Sequence, residues 1–268
     1  MPTYLDDLLD GARRRVAAAR ATTAETDLRA RAEATREAAT PHAFRAALAR
    51  PGVGVIAEVK RASPSKGDLA PHLDAVAQGT AYRDGGAAAV SVLTEPERFK
   101  GTLEDLAGVA STGVPALRKD FLVDAWQVWE AAAAGASAVL LIVAALDDAT
   151  LAGLHAEAHA LGLDCLVEVH DAAELARATA AGAEIVGVNA RDLRTFTIDR
   201  DAFARLRPDI DGIAVAESGI RGPEDVRTAH AQGADAVLVG ESLVTHPDPR
   251  AAVAALVAAG AAAEAPSA

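Results

Sequence analysis

The chain has 268 residues, of which 51% are hydrophobic, and its 26 basic and 38 acidic side chains give a formal net charge of −12. That hydrophobic fraction predicts a folded globular protein and excludes a disordered chain. The acidic balance argues against nucleic acid or an anionic membrane surface as the main partner. A single cysteine, Cys165, excludes an internal disulfide framework and a cysteine-rich zinc site, so we expect a reducing compartment, the cytoplasm.

The first 50 residues are predicted to form helices at 5–20, 24–38 and 41–49, the third with Thr40 as N-cap and Pro41 in its first turn. This segment is too short to bury a core of its own. We therefore expect a helical extension covering the remainder of a single domain that spans residues 1–268. Residues 263–268 are expected to fray. The acidic first residues lack the order of a secretory signal, so export is not expected.

Four copies of a Gly-Ala pair, each followed by an apolar run, divide the rest of the chain. They begin at Gly86, Gly135, Gly182 and Gly233, about 50 residues apart, which indicates an internal repeat. A glycine that ends a helix just before a buried strand explains such a pattern. The runs after these glycines are AVSVL, AVLLIV, IVGVN and AVLVG.

Four further apolar runs lie between these copies, and alanine-rich, helix-prone stretches separate the runs. The additional runs are GVIAEVK at 54–60, VPALRKD at 114–120, DCLVEV at 164–169 and IAVAES at 213–218. Eight strands that alternate with helices predict an α/β fold, a (β/α)8 TIM barrel formed by residues 51–262. No GxGxxG motif follows the first strand, which argues against a dinucleotide-binding fold.

Polar residues stand repeatedly at the carboxyl ends of the predicted strands, where barrels of this kind have their active sites. They are Glu58, Lys60, Lys119, Glu168, Asn189, Glu217 and Ser218. Burying an unpaired charge is costly, so these groups are expected either to pair with one another or to hold a ligand. Structural salt bridges are the alternative, but convergence of charged strand ends on one rim favours a functional site.

Lysine is rare in this chain, which has 22 arginines and four lysines. Three of the four, Lys60, Lys66 and Lys119, stand in two of the segments that end the predicted strands. Arginine stays charged, whereas the pKa of lysine shifts when the side chain is desolvated, as proton transfer requires. Lys60 and Lys119 are therefore the leading acid/base candidates, with chance placement on the surface as the alternative.

Two loops that contain glycine predict a phosphate site. The loop after the seventh strand contains Ser218 and Gly219, and the loop after the eighth begins with Gly240 and Glu241. Glycine lets the backbone approach an anion, and the helix N-termini that follow direct N–H groups toward it. Arg191 would add a bidentate contact. Ordinary strand-to-helix turns are the alternative reading of both loops.

No metal site is predicted. His155 and His159 lie four residues apart, but the segment is not HExxH and the sequence offers no third ligand nearby. Cys165 stands three positions before Glu168, so the two side chains are expected on opposite faces of one strand. Cys165 is therefore predicted to be a small core residue facing the surrounding helices.

Five ordered motifs resemble the indole-3-glycerol phosphate synthase family. They are IAEVKRASPSKG at 56–67, SVLTE at 91–95, LRKDF at 117–121, GVNARDL at 187–193 and AESGI at 216–220. The resemblance covers the whole chain, including the helical extension. It implies a TIM-barrel enzyme of tryptophan biosynthesis that needs no cofactor and acts on a small phosphorylated substrate.

The reaction that this resemblance implies is ring closure of 1-(2-carboxyphenylamino)-1-deoxyribulose 5-phosphate to indole-3-glycerol phosphate, with loss of carbon dioxide and water. Lys119 matches the general acid of the family, and Lys60 matches a lysine that assists decarboxylation or a later proton transfer. Glu58 and Glu168 match two carboxylates whose separate roles stay open. The residues that match substrate contacts are Asn189 and Ser218 for hydroxyls, Ser63, Arg191, Gly219 and Gly240 for phosphate and anions, and Phe121 and Leu193 for the aromatic ring.

One departure from the family pattern concerns Glu241, which follows Gly240 where serine is frequent. A carboxylate beside a phosphate would repel it, so we expect the Glu241 side chain to point away. Three alternatives to the synthase remain at this stage: the sister barrel phosphoribosylanthranilate isomerase, an inactive barrel that serves as a binding module, and an aldolase that forms a Schiff base on Lys119. Both a monomer and a non-covalent complex with another tryptophan-pathway enzyme stay open.

Overall fold

The structure is a computed structural model, and it describes residues 4–192 and 197–261. Eight parallel strands close into one barrel, which confirms the predicted (β/α)8 fold. All eight strands lie within the predicted apolar runs. They are β1 Gly54–Val59, β2 Ala89–Leu93, β3 Ala116–Lys119, β4 Ala138–Ile142, β5 Asp164–Val169, β6 Ile185–Asn189, β7 Ile213–Glu217 and β8 Ala236–Val239.

Helices precede the barrel and connect its strands. Those before β1 are α1 Tyr4–Thr22, α2 Glu25–Glu37 and α3 Ala43–Leu48. Those from β1 to β5 are α4 Ala75–Asp84, α5 Leu103–Ala110, α6 Ala125–Ala133 and α7 Asp148–Ala160. Those after β5 are α8 Ala172–Ala180, α9 Ala202–Leu206, α10 Pro223–Ala231, α11 Glu241–Val244 and α12 Pro249–Gly260. Within the described ranges, none is both long and apolar enough to cross a membrane.

Strand alternation divides the apolar side chains into two cores. Inside the barrel, Ile56, Leu117 and Leu166 belong to one buried cluster. Between the barrel and its helices lies a larger cluster, which includes Cys165 and Val167. Cys165 is buried there, and burial raises the pKa of its thiol, so its predicted place in the outer core is confirmed.

Helix α3 closes the amino-terminal end of the barrel. Phe44 and Leu48 are buried in the same cluster as the inner barrel side chains. The predicted start of this helix at Pro41, with Thr40 as N-cap, is wrong, because α3 begins at Ala43 and His42 is the N-cap with a left-handed φ of 52°. A distant carboxylate takes the capping role: Asp164 in β5 accepts hydrogen bonds from the Arg45 backbone N–H at 2.7 Å and from the His42 ring at 3.0 Å.

Helix α1 lies at the opposite end, over the carboxyl ends of the strands. Its Arg15 forms ion pairs with Asp120, just after β3, at 3.1 Å and with Glu95, just after β2, at 3.5 Å. Helix α2 packs against α6, where the Arg29 guanidinium lies 3.9 Å from the centre of the Trp129 ring. The proposed boundaries at residues 50 and 262 stay a prediction, and residues 263–268 lie outside the described ranges.

A short antiparallel ribbon follows β1 and was not predicted. It pairs Ala62–Ser63 with Gly67–Asp68. Arg61 anchors the base of this ribbon, because its guanidinium donates two hydrogen bonds to the Asp105 carboxylate at 2.5 and 2.7 Å. The ribbon thereby holds Ser63 and Lys66 at the mouth of the barrel.

Candidate active site

A cavity of about 610 Å³ opens at the carboxyl ends of the strands. Every predicted site residue within the described ranges lines it. These residues are Glu58, Lys60, Ser63, Lys119, Phe121, Glu168, Asn189, Arg191, Ser218, Gly219 and Gly240. Leu193, the remaining one, lies outside the described residues. The location is the one that barrel architecture favours for catalysis.

At the base of the cavity, two ammonium groups contact one carboxylate. Glu58 Oε1 lies 2.6 Å from Lys60 Nζ, and Glu58 Oε2 lies 3.6 Å from Lys119 Nζ. Burial would raise the pKa of Glu58, but the two lysines lower it below its ordinary value. Glu58 is therefore a stable anion that orients both cations toward the cavity.

Glu217 at the end of β7 is a further member of this cluster. Its Oε2 lies 3.3 Å from Lys119 Nζ, while Oε1 is buried with no hydrogen-bond partner among the described residues. Burial raises the pKa of Glu217 to about 7, with Lys119 opposing this shift and the charges of Glu168 and Glu58 adding to it. Its place at a strand end was visible in the sequence, and it lies in the motif AESGI, but the resemblance gave it no role in the reaction.

Lys119 stays protonated at the centre of these acids. Burial would lower its pKa, but Glu217, Glu58 and Glu168 together raise it above its ordinary value. A lysine in this setting does not act as a free amine nucleophile at neutral pH, because its lone pair carries a proton. It is instead suited to donate that proton to a substrate oxygen.

Two glycines make room for this charged cluster. A side chain at Gly187 in β6 would overlap with Oε1 of Glu217. A side chain at Gly240 would overlap with Oε1 of Glu58 and stand 3.0 Å from Lys60 Nζ. Gly240 was predicted only as a phosphate contact, so the structure adds a second reason for glycine at that position.

Asn189 and Ser218 form a polar pair at the ends of β6 and β7. The Ser218 hydroxyl donates to Asn189 Oδ1 at 2.8 Å, and the Arg191 backbone N–H donates to the same oxygen at 3.0 Å. Ser218 has φ of 64° and is followed by Gly219 at 83°. A serine in the left-handed region is strained by about 1 kcal/mol or more, and such strain concentrates at functional sites.

Apolar side chains form one wall of the cavity. Phe121, just after β3, packs against Phe99 with ring centroids 6.4 Å apart. Leu5 and Leu8 of α1 complete this wall from above. The arrangement offers a flat apolar surface that is suited to an aromatic ring.

The two glycine-containing loops also border the cavity. Helix α10 begins directly after Gly222, and α11 begins directly after Gly240. Glu241 lines the cavity, and the expectation that its side chain points away from the phosphate stays a prediction. Its carboxylate lies 3.6 Å from Lys66 Nζ of the ribbon loop, and this cation offsets its charge at the mouth.

Glu168, at the end of β5, lines the cavity and also lies next to His170. Glu168 Oε1 lies 3.8 Å from His170 Nε2, and neither atom has a hydrogen-bond partner among the described residues. His170 was not identified from the sequence. Its position two residues after Glu168 is the only signal that was available.

Replacing Glu217 with glutamine is expected to change how stability depends on pH. Because the folded state raises the pKa of Glu217 to about 7 from 4.5, the stability that this group contributes is fully present below about pH 4.5 and is lost as pH rises through about 7. The parent should therefore lose stability relative to Glu217→Gln between about pH 5 and pH 8. Thermal midpoints across this range measure the difference, and parallel curves would contradict the shift.

Comparisons with known proteins identify the family of this chain. A family model described as Indole-3-glycerol phosphate synthase matches residues 5–256. This chain belongs to the indole-3-glycerol phosphate synthase family. Relatives with that name from Mycobacterium sp. (strain KMS) and Mycobacterium tuberculosis (strain ATCC 25177 / H37Ra) are each 52% identical over 261 residues, covering 96% of this chain and 95% of the relative. The resemblance stated from the sequence motifs is confirmed.

Solved structures of lower identity share the barrel with this synthase-family chain. Thiamine phosphate pyrophosphorylase from Pyrococcus furiosus has a TM-score of 0.60 at 17% identity, covering 77% of this chain and 94% of its own. A 3-hexulose-6-phosphate synthase has a TM-score of 0.63 at 18% identity, covering 78% of this chain and 100% of its own. At such identity the likeness shows the fold alone.

Proposed function

We propose that this member of the indole-3-glycerol phosphate synthase family closes the indole ring of 1-(2-carboxyphenylamino)-1-deoxyribulose 5-phosphate. The aromatic carbon that bears the carboxylate attacks the ribulose carbonyl carbon, carbon dioxide leaves, and loss of water completes indole-3-glycerol phosphate. The observation that carries this proposal is the Lys119 ammonium, which lies within 3.6 Å of both Glu58 and Glu217 at the base of the cavity. In chemical terms the enzyme is a carboxy-lyase.

Lys119 is the general acid for ring closure. Attack on the carbonyl carbon develops negative charge on its oxygen, and a buried ammonium both stabilises that charge and supplies the proton. Glu58 and Glu217 hold the ammonium in place by ion pairs on two sides. No cofactor takes part in this step, because the electron pair for the new bond comes from the substrate's own aromatic ring.

Lys60 faces the departing carboxylate. Its ammonium attracts the carboxylate when the substrate binds, and it assists decarboxylation or a later proton transfer. Glu58 orients Lys60 through the 2.6 Å contact. Glu168 acts as the base of the dehydration, in which a methylene proton of the new ring is removed and the hydroxyl leaves as water.

The remaining site residues bind the substrate. Ser63, Arg191, Gly219 and the backbone at Gly240 hold the phosphate, and Asn189 and Ser218 hold the hydroxyls. Phe121 packs against the aromatic ring, and Leu193 retains that role as a proposal from the family pattern. We expect the enzyme to work in the cytoplasm as a monomer or beside another tryptophan-pathway enzyme, with neither nucleic acid nor membrane as a partner.

Formation of indole fluorescence from the named substrate tests the proposed function. The parent protein should produce it without added metal or cofactor, and no product would reject the proposal. Borohydride added with the substrate should trap no covalent adduct on Lys119, because the proton on that ammonium prevents imine formation. A trapped adduct would instead favour an aldolase.

A further inference from the structure

His170 lies beside Glu168 and does not itself line the cavity. Its Nε2 is 3.8 Å from Glu168 Oε1, and both atoms are buried. Neither has a hydrogen-bond partner among the described residues. Two unpartnered buried polar atoms that face each other across this gap are costly unless a proton or a charge links them.

Glu174 in α8 determines which ring nitrogen faces Glu168. Its Oε2 accepts a hydrogen bond from His170 Nδ1 at 3.0 Å and another from the His170 backbone N–H at 2.8 Å. These two bonds hold the ring by one edge, so Nε2 at the other edge points to Glu168. A carboxylate that orients a histidine toward a second functional group is a recurrent arrangement at proton-transfer sites.

The groups that act on His170 are all carboxylates: Glu174, Glu168 and Glu217. Burial would lower the pKa of His170, but the hydrogen bond to Glu174 and the charges of all three acids raise it to about 9. The free enzyme therefore carries a proton on both nitrogens of this ring near neutral pH. That proton is stored next to the carboxylate that lines the cavity.

The proposed reaction consumes one proton in each turnover. The substrate carboxylate leaves as neutral carbon dioxide, and the hydroxyl leaves as water, so the products at the site carry one negative charge less than the substrate. Lys119 gives one proton to the carbonyl oxygen, whereas the dehydration takes one proton from carbon and gives one to the leaving hydroxyl, so Lys119 ends the reaction one proton short. A second protonated group beside the site can supply the proton for the leaving hydroxyl, so that the methylene proton is free to return to Lys119 while the substrate still fills the cavity.

We propose that His170, oriented by Glu174, stores the proton that each turnover consumes and delivers it to Glu168. Nε2 gives its proton to Glu168 Oε1, and the neutral ring keeps its Nδ1–H on Glu174. Glu168 passes the proton to the leaving hydroxyl and, as a carboxylate again, takes the methylene proton, which replaces the one that Lys119 gave to the carbonyl oxygen. A proton from bulk solvent restores the imidazolium after the product has left. His170 touches no substrate in this scheme and acts as a positioning residue through Glu168, so the inference rests on the proposed function.

Two substitutions at His170 separate proton delivery from a purely structural role. His170→Ala should lower kcat for indole formation about tenfold or more, with KM changed by no more than about twofold. Imidazole added to the buffer should restore part of the lost kcat, since it supplies a protonated ring to the space vacated. The glutamine side chain in His170→Gln keeps a hydrogen-bond donor but cannot release a proton near neutral pH. This variant should therefore be as slow as the alanine variant.

His230→Ala is the matched control, because His230 is exposed on α10, away from the cavity residues. It should keep the parent kcat and should not respond to imidazole. Parental kcat in His170→Gln, or no response of a folded His170→Ala to imidazole, would overturn the proposal; if His170→Ala does not fold, the glutamine variant decides. No indole product from the parent would instead reject the proposed function itself.

Discussion

Lys119→Ala is expected to lower kcat by about 10²–10⁴-fold, which is the usual contribution of one general acid. The substitution removes the only group placed to protonate the carbonyl oxygen in the proposed mechanism. It also leaves Glu58 and Glu217 without the ammonium that lies 3.6 and 3.3 Å from them. Single-turnover measurement of indole fluorescence separates this chemical step from product release.

Lys100→Ala serves as the matched control for Lys119→Ala. Lys100 is half exposed and pairs with Asp68 at 2.5 Å, and neither residue lines the cavity. An exposed pair contributes little to stability, so this variant should keep the parent kcat and thermal midpoint. Turnover of Lys119→Ala that matches the parent, in a protein with normal far-ultraviolet circular dichroism, would remove Lys119 from the mechanism.

Gly187→Ala is expected to damage the site although it replaces no charged residue. The new methyl group would overlap with Glu217 Oε1 and stand 3.2 Å from Leu166 Cδ1 in the inner core. Because the barrel interior is close-packed, Glu217 must leave its place beside Lys119 to make room. We expect a loss of about 1–3 kcal/mol in the free energy of unfolding from overpacking.

The same displacement should lower kcat by about 100-fold, because a misplaced catalytic group loses its alignment. Gly153→Ala is the control: Gly153 lies in α7, and a methyl group there meets nothing within 4 Å. That variant should gain about 0.5–1 kcal/mol of stability from better helix propensity and keep its activity. Full activity in Gly187→Ala would mean that Glu217 is not required beside Lys119.

The barrel was predictable because its sequence pattern is local and repeated. Apolar runs of strand length mark the strands. Glycines such as Gly135 and Gly182 mark the ends of helices, because their φ angles of 81° and 85° are rarely adopted by residues that have a side chain. The start of α3 was not predictable in the same way. The group that caps it, Asp164, lies 122 residues away from His42, and only folding brings them together.

The same difference between local pattern and long-range contact applies to the residues of the candidate site. Residues at strand ends, such as Lys119 and Glu168, could be named because strand direction alone sends their side chains to one mouth. The partners of these residues depend on packing across the barrel. Glu217 can occupy its position because Gly187 on the neighbouring strand leaves space for its carboxylate. The orientation of the His170 ring depends on a hydrogen bond to Glu174 in α8.

The contact between His42 and Asp164 has a consequence for the order in which the chain folds. During synthesis, α1 to α3 are made before β5. At that stage α3 lacks Asp164, which caps it, and Phe44 lacks the barrel side chains that bury it in the folded protein. At about 5–20 residues per second, the ribosome needs several seconds to supply that partner. The N-terminal helices should therefore acquire protection from hydrogen exchange after the central strands in a refolding experiment, although they are made first.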